Sequence, residues 1–458
     1  MLTEIYVISD LHLGGEAGEH GDPGFQICPQ PNQEALTEFI LNLEKPTIDK
    51  DVRVILNGDI VDFLADKQAV AFTSDAQKAL YKLRRIVAST EPIWSALADF
   101  VRGQGALTLM LGNHDLEMSF PLLREYLKKR LGEGRVDFIY DNEAFTMDSV
   151  LVEHGNRYDA WNAVAHGALR RIRSRMSRGL PADKFPVMPG SRLVIDVMNP
   201  IKKEYSFVDL LKPETAGVLP ILAALGVGGI SEIWDAYTQY RRKAAVDYNE
   251  EFEPRDETYI ANVPSKEKEL FDIAQNIAAG GDATAIGLID FTGLRAEISE
   301  AKRRLRREAL HRVFFLEKTA EHHRKAFEIT HEEKEYLKPA QAAARRGFKV
   351  IVMGHTHLVK RKSLENAIYL NTGTWADLIR VPPVVWGENA DLAKKTLDSF
   401  VNDLEADEVK QWRCSVPTYA KILLDGDELI ESDTNVFFAD SNEVVSDEGL
   451  AKRLSKGV

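Results

Sequence analysis

Leu111-Gly112-Asn113-His114-Asp115 is the stretch on which the reading of this chain turns. It follows the apolar run from Ala106 to Leu111 and precedes a helical pattern that begins at Pro121. An amide oxygen, an imidazole and a carboxylate therefore sit side by side at what reads as the carboxyl end of a buried strand. The arrangement recurs elsewhere in the chain. Asp10-x-His12 follows Ile5 to Ile8, Gly58-Asp59 follows Val52 to Leu56, His154-Gly155 follows Val150 to Val152, and Gly354-His355-Thr356-His357 follows Val350 to Met353. Each hydrophobic run ends in metal-ligand chemistry.

Working outward, residues 1 to about 158 alternate short apolar runs with helical patterns, which predicts an α/β layered core. Val52 to Leu56 and Leu107 to Leu111 read as strands, and Ala76 to Val87 and Pro92 to Phe100 as helices. Val136 to Tyr140, Ala144 to Met147 and Val150 to Val152 follow as three strands separated by turn residues. From Asp159 to Arg346 no strand-and-ligand unit appears, and charged helical patterns such as Ser299 to His331 dominate. There Leu305, Leu310, Phe314 and Phe315 can form an apolar stripe. This segment reads as a helical insertion or cap. The core pattern resumes over 347–431 with Phe348 to Met353, Ala367 to Leu370, and a hairpin of Tyr419 to Leu424 and Glu428 to Glu431 across Asp425-Gly426. From Ser432 to the end the chain is polar and acidic, which predicts a loosely ordered tail.

The chain has 458 residues, 44% of them hydrophobic, enough for a large core and two to three domain-sized units. A formal net charge of -13 argues against a general electrostatic grip on nucleic acid, because phosphate neutralisation needs a clustered basic surface. The two cysteines, Cys28 and Cys414, lie far apart, which excludes a disulfide scaffold or a thiolate zinc site and fits a reducing cytoplasm. The N-terminus enters a strand at once and has no basic, then apolar, leader pattern.

Borderline and hard divalent ions accept mixed carboxylate, imidazole and amide-oxygen shells, and Asp10, His12, Asp59, Asn113, His154, His355 and His357 supply seven such donors. Seven exceed the needs of one ion. A carboxylate shared between two ions makes the count work, and such paired centres, about 3.5 to 4 Å apart, activate a water and stabilise in-line displacement at phosphorus. In open α/β sheets, ligand sites collect outside the carboxyl ends of strands.

The ordered series Asp10-x-His12, Gly58-Asp59-x-x-Asp62, Gly112-Asn113-His114-Asp115, His154 and Gly354-His355-x-His357 resembles the calcineurin-like metallophosphoesterase superfamily. The resemblance covers roughly residues 1–160 and 347–430. It implies a sandwich of two mixed sheets flanked by helices, with two divalent ions, manganese first and iron or zinc as alternatives. Asp10, His12 and His357 would hold one ion, and Asn113, His154 and His355 the other, with Asp59 bridging. It further implies that His114 faces the substrate and protonates the leaving oxygen, with Asp62 holding its far nitrogen. The opening Ser9-Asp10-Leu11-His12-Leu13-Gly14 also looks like that of the UDP-2,3-diacylglucosamine hydrolases, much shorter enzymes with a compact lid. Phe63 and Asp115 stand where the protein serine/threonine phosphatases have arginine and glutamate.

The remaining histidines, His20, His166, His311, His322, His323 and His331, lack such partners and read as solvated or helix-face residues, His166 being the candidate exception. Arg157 has the bidentate fork to clamp a substrate phosphate. The uncharged stretch Gly217 to Ile230 is too short to span a bilayer and reads as a buried lid core, or as a wall for an acyl chain. The runs Arg170 to Arg178 and Arg303 to Arg307 read as solvated faces that could also attract anionic lipid or a polyphosphate. The expectation is a cytoplasmic phosphoester, phosphodiester or pyrophosphate hydrolase. It acts on a phosphorylated small molecule or lipid-linked substrate, with peripheral contact at the inner membrane face as a further possibility. A nuclease of the same superfamily and a catalytically silent scaffold for partner binding are the alternatives.

Overall fold

Period-two alternation sends neighbouring side chains of one strand to two different cores, and this organises the chain. The computed structural model describes residues 1–17, 24–65, 69–132, 134–159, 161–202, 205–213, 221–222, 225, 300–315, 317–438, 441–444 and 449. They fall in two compact units. The first comprises Met1–Ser191, Glu328–Asp377 and Ser415–Asp447; the second comprises Arg192–Phe327, Leu378–Cys414 and Glu448–Val458.

The first unit is mixed α/β. Its larger sheet has seven strands, in the order Ser441–Val444, Glu428–Phe438, Thr418–Asp425, Leu2–Ile8, Lys50–Asn57, Ala106–Met110 and Val136–Ile139. The last four run parallel, and the first three are joined antiparallel. A second sheet of five strands has the order Val359–Ser363, Ile368–Thr372, Val350–Met353, Val150–Val152 and Phe145–Met147, with its three middle strands parallel. In Leu2–Ile8, Ile5 and Val7 enter an apolar cluster that also holds Val150, Val152, Val350, Val352 and Leu370 from the second sheet. Tyr6 and Ile8 face the other way, into a cluster with Leu36, Leu83, Trp94 and Leu123 of four helices, Gln30–Leu41, Ala76–Ser89, Glu91–Arg102 and Pro121–Leu131. The second sheet alternates likewise, with Ile351, Met353 and Tyr369 packing on Ala340 and Ala343 of the helix Lys334–Arg345. Each such large side chain, fully buried, contributes roughly 1.5 to 3 kcal/mol. The helix Ala76–Ser89 starts where Asp75 accepts from the amides of Gln77 and Lys78.

The first unit takes in residues 159–191 and 328–346, which composition groups with the insertion, whereas 378–414 belongs to the second unit. The expected loose tail from Ser432 is corrected only as far as Val444, and beyond that it lies outside the described residues save Gly449. Glu428–Phe438 continues well past that point and pairs with Ser441–Val444, because Thr434, Val436 and Phe437 are buried among polar neighbours that mask their strand pattern.

In the second unit the single helical pattern Ser299 to His331 divides into Glu300–Phe314 and Glu317–Phe327. Leu310 and Phe314 are buried, but Leu305 and Phe315 are exposed, so the stripe is narrower than expected. His311 and His323 are buried and not solvated: His311 Nε2 lies 2.7 Å from Asp398 Oδ1, and the His323 ring lies 5.0 Å from that of Trp386. His20 and most of Gly217 to Ile230 lie outside the described residues; Ile221, Leu222 and Leu225 are described and buried. Both cysteines are buried and neither is in a disulfide. Among the described residues no helix is long and apolar enough to cross a membrane.

Candidate metal centre

Parallel strands carry their carboxyl ends to the same edge, and in the first unit five such ends bring the polar motifs together. Asp10 and His12 follow Leu2–Ile8, Asp59 follows Lys50–Asn57, Asn113 and His114 follow Ala106–Met110, His154 follows Val150–Val152, and His355 and His357 follow Val350–Met353. Asp10, His12, Asp59, His355 and His357 all adopt positive φ, between 45° and 73°. This left-handed conformation costs a non-glycine residue on the order of 1 to 2 kcal/mol, and strain of this kind clusters at functional sites. Hydrogen bonds from the backbone hold it in place. The His355 amide donates to the Asp10 carboxylate at 2.9 Å, the His114 amide to Asp59 Oδ1 at 2.8 Å, and the amides of Ile60 and Gly112 to Asp115 at 2.7 and 2.8 Å.

Three groups of side chains place one donor atom each within 4.8 Å of one another: Asp10, His12 and His357; Asp59, His154 and His355; and His12, Asp62 and His114. Six of the seven expected donors are thus brought together, and Asn113 adjoins His114, whose amide binds Asp59. Asp59 touches both sides, with Oδ2 3.3 Å from His154 Nε2 and 3.9 Å from His12 Nε2. Asp62 lies 3.2 Å from Nδ1 of His114 and 3.2 Å from Nδ1 of His12, one oxygen to each. His154 Nδ1 lies 2.7 Å from the Asn57 carbonyl, which turns Nε2 inward.

The donors fit divalent cations. His12 Nε2 and His357 Nε2 face each other at 3.0 Å. This is the separation of two nitrogens each about 2.1 Å from one ion at right angles. Asn113 Oδ1 and His154 Nε2 are buried without an aligned hydrogen-bond partner, a costly state unless a cation satisfies their lone pairs. The electrostatics agree. Burial pushes the His154 imidazole down, but the Asp59 and Asp10 carboxylates more than reverse this and lift it to about 9. Burial raises Asp59, yet His154, His114 and His12 hold it well below the usual carboxylate range. The Asp115 carboxyl is lifted to about 7 by burial and by the charge of Asp59. The site favours positive charge at its centre.

Arg157 lines a small cleft beside His154, together with Tyr140, Glu153 and His166, and its Nη1 lies 3.8 Å from Glu153 Oε2. His166 joins none of the three donor groups; burial and the nearby Arg157 and Arg173 bring its imidazole down to about 4. The arginine runs are largely engaged in their own unit: Arg170 and Arg173 bind Asp141, and Arg307 binds Glu405. Sequence reading missed Asp159 and Asn162, taken as the start of the insertion. Asp159 Oδ2 accepts from His355 Nε2 at 3.0 Å, and Asn162 Oδ1 accepts from Asn113 Nδ2 at 3.4 Å. A carboxylate five residues after His154 was the available signal.

No family profile matches the chain, and no curated protein matches it in sequence. Among solved structures, a candidate 5′-nucleotidase from Staphylococcus aureus, crystallised in complex with alpha-ketoglutarate, is similar over 99% of this chain at 11% identity and a TM-score of 0.31. This chain spans 58% of that protein's length. So distant a likeness carries no function, and the site geometry stands by itself.

Proposed function

We propose that the chain is a metal-dependent hydrolase of a phosphoester, phosphodiester or pyrophosphate bond, built as a calcineurin-like metallophosphoesterase sandwich. The observation that carries this reading is the meeting of four strand-end motifs in two adjoining, largely buried donor groups that share the neighbourhood of Asp59, with His114 of the fifth motif in a third group that shares His12. Asp10, His12 and His357 would hold one divalent ion, and Asn113, His154 and His355 the other, with Asp59 between them. Manganese is the first candidate, and iron and zinc share its ligand chemistry. When bound, such ions supply Lewis acidity, neutralising charge on a phosphoryl group and acidifying a nucleophilic water.

The chain's own residues have the remaining tasks. Asp62 fixes the His114 ring through Nδ1, so His114 would deliver a proton from Nε2 to the leaving oxygen. Because Asp62 also holds His12, it ties the proton donor to the metal-binding group. Arg157, lining the cleft beside His154, would orient an anionic part of the substrate. Substrate choice would rest with the segment between the two halves of the core, since specificity is grafted on the shared chemistry.

Elemental analysis of the purified protein, followed by hydrolysis of nitrophenyl phosphomonoesters and diesters, nucleotide-sugar pyrophosphates and nucleic acid with added Mn²⁺, tests the proposal. Bound divalent metal with turnover on a phosphorus ester is the expected result. Protein that binds metal and hydrolyses none of these substrates would leave the scaffold reading in its place.

A further inference from the structure

Directly after His154 the chain folds into a short hook. Gly155 takes a positive φ of 104°, Asn156–Tyr158 form one helical turn, and the Asp159 and Asn162 amides donate to the carbonyls of Asn156 and Asp159 at 3.1 and 3.0 Å. Asn156 Nδ2 closes the loop on the Asn162 carbonyl at 2.9 Å. Within it the Asp159 carboxylate accepts from the Trp161 amide at 2.9 Å and from Asn162 Nδ2 at 2.7 Å. The two hook side chains then reach two different strand ends: Asp159 to His355 Nε2, and Asn162 to Asn113 Nδ2.

We propose that Asp159 and Asn162 are positioning residues for one of the two metal sites, the one formed by Asp59, Asn113, His154 and His355. The inference rests on the metal-dependent reading above. A ring nitrogen that donates to a carboxylate leaves the opposite nitrogen with its lone pair, so Asp159 commits His355 Nδ1 to the ligand role and fixes the ring. Asn162 acts in the same way on an amide. By taking the Asn113 Nδ2 hydrogen it turns Asn113 Oδ1 the other way, and that oxygen is buried with no hydrogen-bond partner. Since Asp159 itself binds Asn162, a single carboxylate orients both donors. In the other group, His12 is oriented through Nδ1 by Asp62. The hook therefore acts on the ion that His355 and Asn113 would hold.

The experiment measures Mn²⁺ binding by equilibrium dialysis with elemental analysis, on the full chain and on Asp159→Ala, Asp159→Asn and Asn162→Ala. The full chain should bind two ions. Asp159→Ala should keep one at parental affinity and bind the second roughly 10- to 100-fold more weakly, the usual effect of losing such an outer partner. Asn162→Ala should show the same split, less strongly. Asp159→Asn, which retains an acceptor oxygen, should recover part of the affinity. Melting curves of the metal-free proteins identify any variant that fails to fold, and Asn162→Ala and Asp159→Asn keep the question open to measurement if Asp159→Ala does. Two ions bound at parental affinity in all variants, or equal loss of both ions, overturns the inference while sparing the proposed function. A parent that binds no divalent ion overturns both.

Discussion

Replacing Gly112 with alanine tests the claim that the strand-end loops meet at van der Waals limits around the metal donors. A Cβ at Gly112 would stand 2.5 Å from the Asp59 backbone nitrogen and closer still to its carboxylate. Ordinary contact begins near 3.4 Å, so the Asp59 backbone must retreat by about 0.9 Å. It cannot do so freely, because the His12 amide donates to the Asp59 carbonyl at 2.9 Å and the His114 amide to Asp59 Oδ1. Overpacking of this kind costs on the order of 1 to 3 kcal/mol. A misplacement near 1 Å in a reacting constellation costs about 10²-fold in rate. Gly112→Ala should therefore melt a few degrees below the parent, bind less divalent metal and lose about 10²-fold in phosphodiester turnover. Gly426→Ala is the control. That residue has positive φ, 55°, but its Cβ would meet nothing within 4 Å, so it should lose about 1 kcal/mol of stability and keep its metal and activity. Melting curves, elemental analysis and a nitrophenyl diester assay read all three quantities. Parental metal content and turnover in Gly112→Ala would refute the close-approach argument.

Asp59→Asn keeps the oxygen that accepts from the His114 amide but removes the charge facing both donor groups, so elemental analysis should show lost metal and hydrolysis should largely disappear while the melting curve survives. Two retained ions with normal turnover would contradict the bridging role. His114→Ala should keep its metal and lose roughly 10² to 10⁴ in turnover on esters with poor leaving groups, and less on nitrophenyl esters. An equal loss on both substrate types would assign His114 to phosphate positioning. A pH effect is expected away from the metal donors: burial lifts the Glu117 carboxyl from 4.5 to about 7, against the opposing Thr73 amide and Lys82. The folded state thus holds this proton more tightly than the unfolded chain, so the stabilisation is complete below pH 4.5 and is lost as pH rises through about 7. Glu117→Gln, which keeps the acceptor for Thr73, should raise the melting temperature most at about pH 8 and least near pH 4, and a gap independent of pH would refute the argument.

The amino-acid sequence determined by itself the strands that carry the candidate donors and the residues that end them. A run such as Val150–Val152 or Val350–Met353 announces a buried strand through its own β-branched and apolar residues, and the polar residue that breaks the run is adjacent to it. The Asp-Gly hairpin after Thr418–Asp425 was legible for the same reason, since it depends on neighbours in the chain. The narrower stripe on Glu300–Phe314 and the extension of Glu428–Phe438 were not, because burial of a face and pairing of a strand depend on what lies opposite. The same holds at the site. That Asp62 holds both His12 and His114, that Gly112 lies against Asp59, and that Asp159 reaches His355 are contacts between residues 50 to 196 positions apart. Only the order of strands in the two sheets brings those ends together, and only the helical turn at Asn156–Tyr158 aims Asp159 at its histidine; a donor's identity is written locally, but its direction is set by the backbone that packs around it.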